Sequence, residues 1–510
     1  MTAQNTAQGA EPETKTGIEP ADASEQMHVR MEKRGKLLAR GEEPYPVTLE
    51  RSHSLADVRA KYPELEPDTA TGEVVGVVGR VVFVRNTGKL CFATLQEGDG
   101  TRLQAMLSLA NVGEERLADW KSLVDLGDHV YIHGEVISSR RGELSVMADD
   151  WKMASKALRP LPTLHTELSE ETRVRQRYVD LMVRDEARQM VYTRAKITKT
   201  VRDTLDSRGY VEVETPMLNL IHGGATARPF ETHLNAFDQE MTLRIATELY
   251  LKRAVVGGIE RVYEIGRVFR NEGVDSTHSP EFTTLECYEA YADQFVMAER
   301  MKEIILNVAD VMGKRQIATP EGTIDLDGEW RWLGVYPGLS EAVGEEITPD
   351  TPLERLLEIG DKRGVKTDPL WTTEKAVVEL FGDIVEPTLL NPTFVYDYPP
   401  SAQPLARPHR DDPRLIEAWD LIIGGMERGT AFSELIDPVI QRERLTEQSR
   451  LAAEGDDEAM QLDEDFLRAL EYGAPPMGGI GLGIDRLVML FTQAGIRETI
   501  LFPLLKPETN

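Results

Sequence analysis

Cysteine is almost absent from this sequence: Cys91 and Cys287 are the only two in 510 residues. Two cysteines are too few for a disulfide framework or a cysteine-rich zinc site. No apolar run approaches the roughly 18–20 residues that span a bilayer. The N-terminal stretch MTAQNTAQGAEPETK lacks the basic and apolar regions of a secretory signal. We therefore expect a cytoplasmic protein that does not act at a membrane.

Several familiar catalytic motifs are missing as well. The sequence has no GxxxxGK[ST] phosphate loop, no GxGxxG, no HExxH, no CxxC pair and no GxSxG elbow. These absences exclude the common nucleotide-binding, zinc-protease, thiol-redox and serine-hydrolase designs. The segment GLGIDR at 481–486 has the glycines of a phosphate cradle but ends in arginine. Taken alone, it is a weak signal that equally suits helix–sheet packing.

Positive charge is also in short supply, with 58 Lys and Arg against 87 Asp and Glu and a formal net charge of −29. General nucleic-acid binders carry a basic face. The charge therefore argues against a DNA partner. It leaves room for an RNA that is met by local patches of arginine and lysine.

At 510 residues the chain exceeds the size of one hydrophobic core, so several domains are expected. Five short β-rich runs separated by Gly/Asp turns predict a small closed barrel of the OB type. Antiparallel-looking strands flanked by helices predict an α+β domain after it. The expected divisions are a disordered extension (1–24), a helical segment (25–71), the OB barrel (72–155), a linker (156–190) and an α+β domain (191–510) with a mainly helical insertion (296–385).

The stretch FRNEGVDSTHSPEFTTLECY, residues 269–288, concentrates charge on two strand-like runs. Unpaired charge is costly to bury, so this density suggests a site. Period-2 alternation places Phe282, Thr284, Glu286 and Tyr288 on one face, and a hairpin brings Arg270 beside them. Arginine binds phosphate through its bidentate fork. The alternative is a surface hairpin held by cross-strand ion pairs.

At these residues the chain resembles the class II (subclass IIb) lysyl-tRNA synthetases. GYVEVETPML is similar to the first motif of the class, FRNEG with HSPEFTTLECYEAYAD to the second, and GLGIDRLVMLF to the third. RIATELYLKR, GGATARPF and PTFVYDYPPSAQPLAR resemble the lysine-specific members. The similarity runs in order over roughly residues 25–508. It implies an N-terminal five-stranded OB barrel that reads the anticodon, followed by a class II catalytic domain with an antiparallel sheet.

The resemblance also implies roles for individual residues. The catalytic pair would be Arg270 and Arg486. ATP would be contacted by Arg270, Glu272, His278, Phe282, Gly483 and Arg486. Lysine would be held by Gly224, Glu248, Glu286, Tyr288, Thr430, Phe432 and Glu434. Mg²⁺ would be bound by Glu427 and Glu434, and the anticodon by Arg85, Phe92, Gln104 and Glu143. Each has a plainer reading: Glu248 as an i,i+4 partner of Lys252, Glu427 as a partner of a nearby arginine, Tyr288 as a sheet aromatic, Phe92 as barrel core.

The implied activity is a lysine–tRNA ligase that uses ATP and Mg²⁺, acts on tRNA(Lys) and forms a homodimer. A lysine substrate carries two ammonium groups, so several carboxylates in one pocket are sensible. The sequence departs from the family at Thr430-Ala431, where many members have Asn-Gly, and at Met477-Gly478. One alternative is a paralogue that attaches lysine or an analogue to a protein or lipid. Another is a non-enzymatic RNA-binding relative, against which Arg270, Glu427, Glu434 and Arg486 argue.

Overall fold

The computed structural model describes residues 24–162, 168–455 and 458–507. Most of the expected extension at 1–24 therefore lies outside the described residues. The chain forms two compact units, one of residues 1–169 and 178–188, the other of residues 170–177 and 189–510. The boundary falls inside the segment that the sequence predicts to be a linker.

The first unit contains a closed β-barrel with strand order β1-β2-β3-β5-β4. Its elements are α1 (Glu25–Ala39), α2 (Leu55–Lys61), β1 (Ala70–Asn86), β2 (Leu90–Gln96), β3 (Arg102–Ser108), α3 (Leu109–Val112), α4 (Glu114–Leu123), β4 (His129–Ser138) and β5 (Leu144–Ser155). Alternating apolar residues of these strands fill the barrel, and Trp120 of α4 packs edge-on against Trp151 of β5. The predicted OB barrel is confirmed.

Three helices follow the barrel: α5 (Glu170–Arg175), α6 (Arg177–Val183) and α7 (Asp185–Ser207). The next elements are β6 (Val211–Glu212), β7 (Leu218–Asn219), β8 (Glu231–Leu234), β9 (Gln239–Leu243), α8 (Glu248–Val256), β10 (Arg261–Phe269), β11 (Glu281–Ala290) and α9 (Gln294–Met312). Asp293 caps α9 by accepting from two backbone N–H groups.

The remaining elements complete the second unit. They are β12 (Gln316–Thr319), β13 (Gly322–Asp325), β14 (Arg331–Gly334), α10 (Val335–Val343), α11 (Leu353–Arg363), α12 (Thr373–Ile384), β15 (Thr393–Tyr396), β16 (Ala418–Ile422), β17 (Glu427–Ser433), α13 (Pro438–Ala453), α14 (Glu464–Glu471), β18 (Met477–Gly483), α15 (Ile484–Thr492) and α16 (Ile496–Thr499). The segment 296–385 is thus mainly helical but also contributes three strands.

The second unit is organised around an eight-stranded sheet with the order β14-β15-β16-β17-β18-β11-β10-β6. Its neighbours are antiparallel except at the two edges, where β6 runs parallel to β10 and β14 parallel to β15. Helices α9 and α15 cover one face with an apolar core. The predicted α+β domain with a mainly antiparallel sheet is confirmed, and the other face of the sheet is left for polar groups.

Candidate active site

The hairpin of β10 and β11 has the face that the alternation predicts. In its antiparallel register Val268 pairs with Phe282, Gly266 with Thr284, and Glu264 with Glu286. The intervening side chains Leu285 and Cys287 belong to the core beneath α9. One strand therefore carries core residues on one side and Phe282, Thr284, Glu286 and Tyr288 on the other.

A cavity of about 350 Å³ opens above that polar face. It brings together the residues of the catalytic domain that the sequence singles out for ATP, lysine and metal. They are Gly224, Glu248, Arg270, Glu272, His278, Phe282, Glu286, Tyr288, Glu427, Thr430, Phe432, Glu434, Gly483 and Arg486. Gly224 and Arg486 are 262 positions apart in the sequence, so the fold brings together functional side chains that are distant along the chain.

One end of the cavity is defined by two arginines. The guanidinium of Arg270 lies 5.2 Å from the centre of the Phe282 ring, and burial lowers its pKa while Glu272 and Glu427 oppose that shift. Arg486 donates to the backbone oxygen of Glu427 at 3.1 Å and pairs with its carboxylate at 3.3 Å. A cation over an aromatic ring beside a second arginine suits a nucleotide with its phosphates. His278 sits in an exposed loop and pairs with Asp275 at 2.9 Å.

The other end of the cavity holds buried carboxylates. Glu286 accepts from the backbone N–H of Thr247 at 3.0 Å, and Tyr288 donates to its second oxygen at 3.4 Å. Glu248, the first residue of α8, and Glu434, just after β17, both pair with Lys252. Glu248 therefore fills both of the roles that the sequence left open, as an i,i+4 partner and as a cavity residue.

The electrostatics of this end of the cavity favour a positively charged ligand. Burial, followed by the neighbouring charge of Glu248, raises the pKa of Glu286 to about 7. Burial also raises the pKa of Glu248 and of Glu434, and it raises the pKa of Tyr288 well above its usual value. Carboxylates that are costly to ionise alone become stable as anions when an ammonium group arrives.

We expect lysine binding to depend on pH through Glu286. Its pKa is raised to about 7, so a fall in pH through 7 protonates the carboxyl that an ammonium group needs as a partner. Since one pH unit below a pKa costs about a factor of ten, KM for lysine should be about tenfold higher at pH 6 than at pH 8. Lysine-dependent ATP–pyrophosphate exchange at saturating ATP measures this.

The control for that pH dependence is Glu286→Gln, whose amide does not titrate. Its KM for lysine should be raised at every pH and should vary much less between pH 6 and pH 8. If the variant keeps the pH dependence of the unaltered protein, another group is responsible and the assignment to Glu286 is wrong.

The structure corrects the metal pair that the sequence suggests. Glu427 begins β17 and Glu434 follows its end, and strand residues rise about 3.3 Å each, so their backbones lie on the order of 20 Å apart. Two carboxylates that far apart do not ligate one ion. Glu434 instead pairs with Lys252. The spacing of seven residues does not reveal that an extended strand separates the two carboxylates.

Asp420 on the adjacent strand β16 is the acidic neighbour of Glu427. It lines the same cavity, and burial together with the charge of Glu427 raises its pKa to about 7. Among the described residues no group of three or more His, Cys, Asp and Glu side chains is arranged to hold a metal by itself. Two carboxylates fit Mg²⁺, which keeps waters and takes phosphate oxygens as further ligands.

Of the departures from the family, Thr430 and Ala431 line the cavity, whereas Met477 and Gly478 do not. The Thr430 hydroxyl donates to the backbone oxygen of Trp419 at 3.2 Å, so it is already engaged within the sheet. Met477 is buried and packs with Tyr288 in a small apolar cluster. Gly478 faces Met297 of α9. Met477 and Gly478 therefore affect the site through packing, whereas Thr430 belongs to its lining.

In the first unit the predicted anticodon residues share one region of the barrel. Arg85 and Phe92 are directly opposed on β1 and β2, with the guanidinium 4.9 Å from the ring centre. Phe92 is half-buried rather than core. Gln104 donates to Ser145, whose hydroxyl donates to the backbone oxygen of Glu143. The Glu143 carboxylate pairs with Arg59 at 3.1 Å.

The sequence does not predict two residues that line the cavity, Asp420 and Gly479, or Lys252, which lies behind two of the cavity acids. Asp420 stands seven residues before Glu427, a spacing that becomes meaningful only once β16 and β17 are known to be neighbours. Gly479 pairs with Tyr288 across the sheet, which no local pattern reveals. Lys252 was considered only as a partner of Glu248, although an alternation of charge at i and i+4 on an otherwise apolar helix was available as a signal.

Comparison with known proteins gives the class. Residues 169–506 match the family described as tRNA synthetases class II (D, K and N), and residues 75–154 match the OB-fold nucleic acid binding domain. The sheet and the cavity lie inside the first region, and the barrel lies inside the second except for the start of β1 and the last residue of β5. The fold and the site thus define a class II tRNA synthetase, which is an ATP-dependent aminoacyl-tRNA ligase.

Among curated proteins, the chain is 58% identical to a lysine–tRNA ligase of Kineococcus radiotolerans, over 95% of this chain and 98% of that protein. It is also 58% identical to a lysine–tRNA ligase of Mycolicibacterium gilvum, over 96% and 99%. Identity is 44% to the lysylphosphatidylglycerol biosynthesis bifunctional protein LysX of Nocardia farcinica, over 98% of this chain but 46% of that protein. The chain belongs to the class II tRNA synthetases, in the lysine group of that family.

Proposed function

We propose that this protein is a lysine–tRNA ligase, which activates L-lysine with ATP and transfers it to the 3′ end of tRNA(Lys). The observation that carries the proposal is the cavity with Arg270 and Arg486 at one end and the buried Glu248, Glu286 and Glu434 at the other. The names of the two full-length relatives at 58% identity support the same substrate.

In the first step an oxygen of the lysine carboxylate attacks the α-phosphorus of ATP. The bond from that phosphorus to the bridging oxygen breaks, and pyrophosphate leaves with its electron pair. No protein nucleophile is required. Arg270 holds the α-phosphate against the substrate carboxylate, and Arg486 steadies the nucleotide from the other side. Catalysis comes from alignment and from fixed positive charge where negative charge develops.

Within this proposal the nucleotide base stacks on Phe282, with Glu272 at its amino group and His278 and Gly483 toward the phosphates. The side chain and α-amino group of lysine occupy the acidic end, where Gly224, Glu248, Glu286, Tyr288, Thr430, Phe432 and Glu434 surround them. Gly224 has φ +87° and lies against Ala246 and Glu248. A side chain there is strained as well as crowded.

We propose Asp420 and Glu427 as the residues that hold Mg²⁺, in place of Glu427 with Glu434. The ion, when bound, neutralises charge on the phosphates of ATP. Asp420 and Glu427 contribute the oxygen ligands, and Arg486 holds the Glu427 carboxylate in place at 3.3 Å. A Mg²⁺ titration of the exchange rate in Asp420→Asn measures this: an unchanged half-saturating concentration would exclude Asp420.

In the second step a hydroxyl of the terminal ribose of tRNA attacks the lysyl carbonyl, and AMP leaves. The barrel reads the anticodon by stacking and by hydrogen bonds to base edges, as single-stranded loops are usually read. The half-buried Phe92 supplies the stacking surface, with Arg85, Gln104 and Glu143 around it.

Phe92→Ala is expected to weaken tRNA binding without touching activation. Loss of one base–aromatic stack costs about 1–3 kcal/mol, so KM for tRNA should rise roughly tenfold or more while lysine-dependent pyrophosphate exchange is unchanged. Phe83→Ala, a change at an exposed aromatic residue of the neighbouring strand β1, is the matched control. Equal effects of the two substitutions would remove the special role of Phe92.

We propose that the protein works as a homodimer in the cytoplasm. Apolar side chains from Val211 to Ile221 are exposed in the single chain, among them Met217, Leu218 and Leu220. Such a patch is typical of a surface that a partner covers. Sedimentation equilibrium distinguishes the dimer from a monomer. No helix among the described residues is long and apolar enough to cross a membrane.

The deciding experiment is ATP–pyrophosphate exchange with each of the twenty amino acids, followed by charging of tRNA(Lys). We expect exchange with lysine far above the others and lysyl-tRNA as the product. Exchange with lysine but no charging would favour a different acceptor, such as a lipid or a protein. Exchange with none, or with another amino acid, would overturn the proposal.

A further inference from the structure

Lys252 of α8 lies directly behind the acidic end of the cavity. Its side chain is 1% exposed and is not among the residues that line the cavity. The Nζ atom is 2.6 Å from an oxygen of Glu248 and pairs with Glu434 as well. Both of those carboxylates do line the cavity. The ammonium group therefore touches the site only through the two acids.

The charges around this ammonium do not balance within the protein. Glu248, Glu286 and Glu434 are all buried; in their ionised forms they contribute three negative charges, against one positive charge from Lys252. Two negative charges remain. Burial opposes the charged form of Lys252, but Glu248 and Glu434 outweigh it and raise its pKa. The ammonium group of Lys252 is a permanent part of the site, and the protein supplies no cation for the other two carboxylate charges.

The missing partners match the proposed substrate. L-lysine brings two ammonium groups to the acidic end, and its carboxylate faces Arg270. With Lys252 present, two substrate cations meet two uncompensated carboxylates. Without it, one buried carboxylate would stay unpaired even after lysine had bound, which is unfavourable. Within the described residues one oxygen of Glu434 pairs with Lys252 and the other has no hydrogen-bond partner, so that second oxygen remains available to the substrate.

We propose that Lys252 is a positioning residue that sets the charge of the lysine pocket to that of a substrate with two ammonium groups. Its ammonium group pairs with Glu248 on α8 and with Glu434 after β17, on the side of these acids away from the cavity, and so links the two elements. The proposal rests on the proposed function. The competing explanation is that Lys252 merely holds the helix against the sheet.

A pair of variants separates the two explanations. Glu248→Gln lowers the net negative charge of the acids and Lys252 from two to one. Adding Lys252→Met to that variant returns the net negative charge to two. Neither variant needs an unpaired buried lysine or an extra buried acid, so both should fold. If Lys252 sets the charge, the double variant should bind lysine more tightly than Glu248→Gln alone, with a KM for lysine about fivefold or more lower, a coupling in the range for contacting residues.

KM for ATP should be equal in the two variants, because Lys252 is remote from the arginine end. If Lys252 only supports the fold, its loss should leave KM for lysine in the double variant equal to or above that of Glu248→Gln. That result would overturn the proposal.

The first unit offers a matched control. Lys156 is also fully buried and also bridges two carboxylates, at 2.6 Å from Asp125 and 2.7 Å from Asp128. Lys156→Met should lower the melting temperature but leave KM for lysine unchanged. The unaltered chain is assayed first: absence of exchange with lysine would refute the proposed function and, with it, the proposed role of Lys252. Normal exchange, with no decrease in KM for lysine in the double variant relative to Glu248→Gln, would refute only the role of Lys252.

Discussion

Arg270→Ala is expected to lower lysine-dependent pyrophosphate exchange by about 10²–10³-fold or more, the loss typical of removing one preorganised charge from a reaction centre. The guanidinium lies over Phe282 and is electrostatically coupled to Glu272, Glu427 and Glu286. In the proposed mechanism it is the group that joins the α-phosphate to the substrate carboxylate. No other side chain of the hairpin can take over that position.

The same substitution should leave the fold intact, because Arg270 lies past the end of β10 and its hydrogen bond to the Ile245 backbone is a long 3.5 Å. Circular dichroism and the melting temperature check this. Arg267→Ala is the matched control: Arg267 lies on β10, three residues before Arg270, is half-exposed, and pairs with Glu281 at 3.6 Å. Exchange at a near-normal rate in Arg270→Ala would contradict the assignment of this residue to catalysis.

The hairpin was predictable because its information is local. Alternation with period 2 assigns Glu286 and Tyr288 to one face and Leu285 and Cys287 to the other, and the register of β10 with β11 follows the same rule. The barrel was predictable for a similar reason, since each of its strands is marked by its own alternation and turn residues. In both cases the pattern and the structure concern residues that are neighbours along the chain.

The metal pair shows where that reasoning stops. A spacing of seven between Glu427 and Glu434 resembles a motif, but within β17 it separates the two carboxylates along the strand. Asp420 is an acid of the cavity that lies near Glu427, and it is brought there by the turn between β16 and β17. Sequence spacing predicts proximity on a helix or across a turn, and it misleads when the intervening chain is extended.

The sequence predicts segment 296–385 as a mainly helical insertion of the catalytic domain. It is mainly helical, but its role in the core and its strands are not apparent from the sequence. Helix α9 packs beneath β17 and β18 as part of the main core, and β14 extends the main sheet by pairing with β15. Strand β14 has only four residues. Its place depends on a partner about sixty residues later, which no local pattern encodes.

Gly479→Ala is expected to weaken lysine binding strongly. Gly479 of β18 pairs with Tyr288 across the sheet and lines the cavity. A Cβ atom there would collide with the Glu434 carboxylate and the Tyr288 ring. Both neighbours are buried, so relief requires a shift of the groups that hold the substrate. Overpacking of this kind costs about 1–3 kcal/mol, and KM for lysine should rise by about tenfold to a hundredfold.

Gly481→Ala is the control that isolates this effect. Gly481 lies two residues further on the same strand and also lines the cavity, but a Cβ there would make an ordinary 3.5 Å contact with Thr430. KM for lysine should therefore stay close to that of the unaltered protein. KM for ATP should be unaffected by Gly479→Ala, because the collision lies at the acidic end. A common loss in both alanine variants would mean that the strand, rather than the lysine end of the cavity, requires glycine.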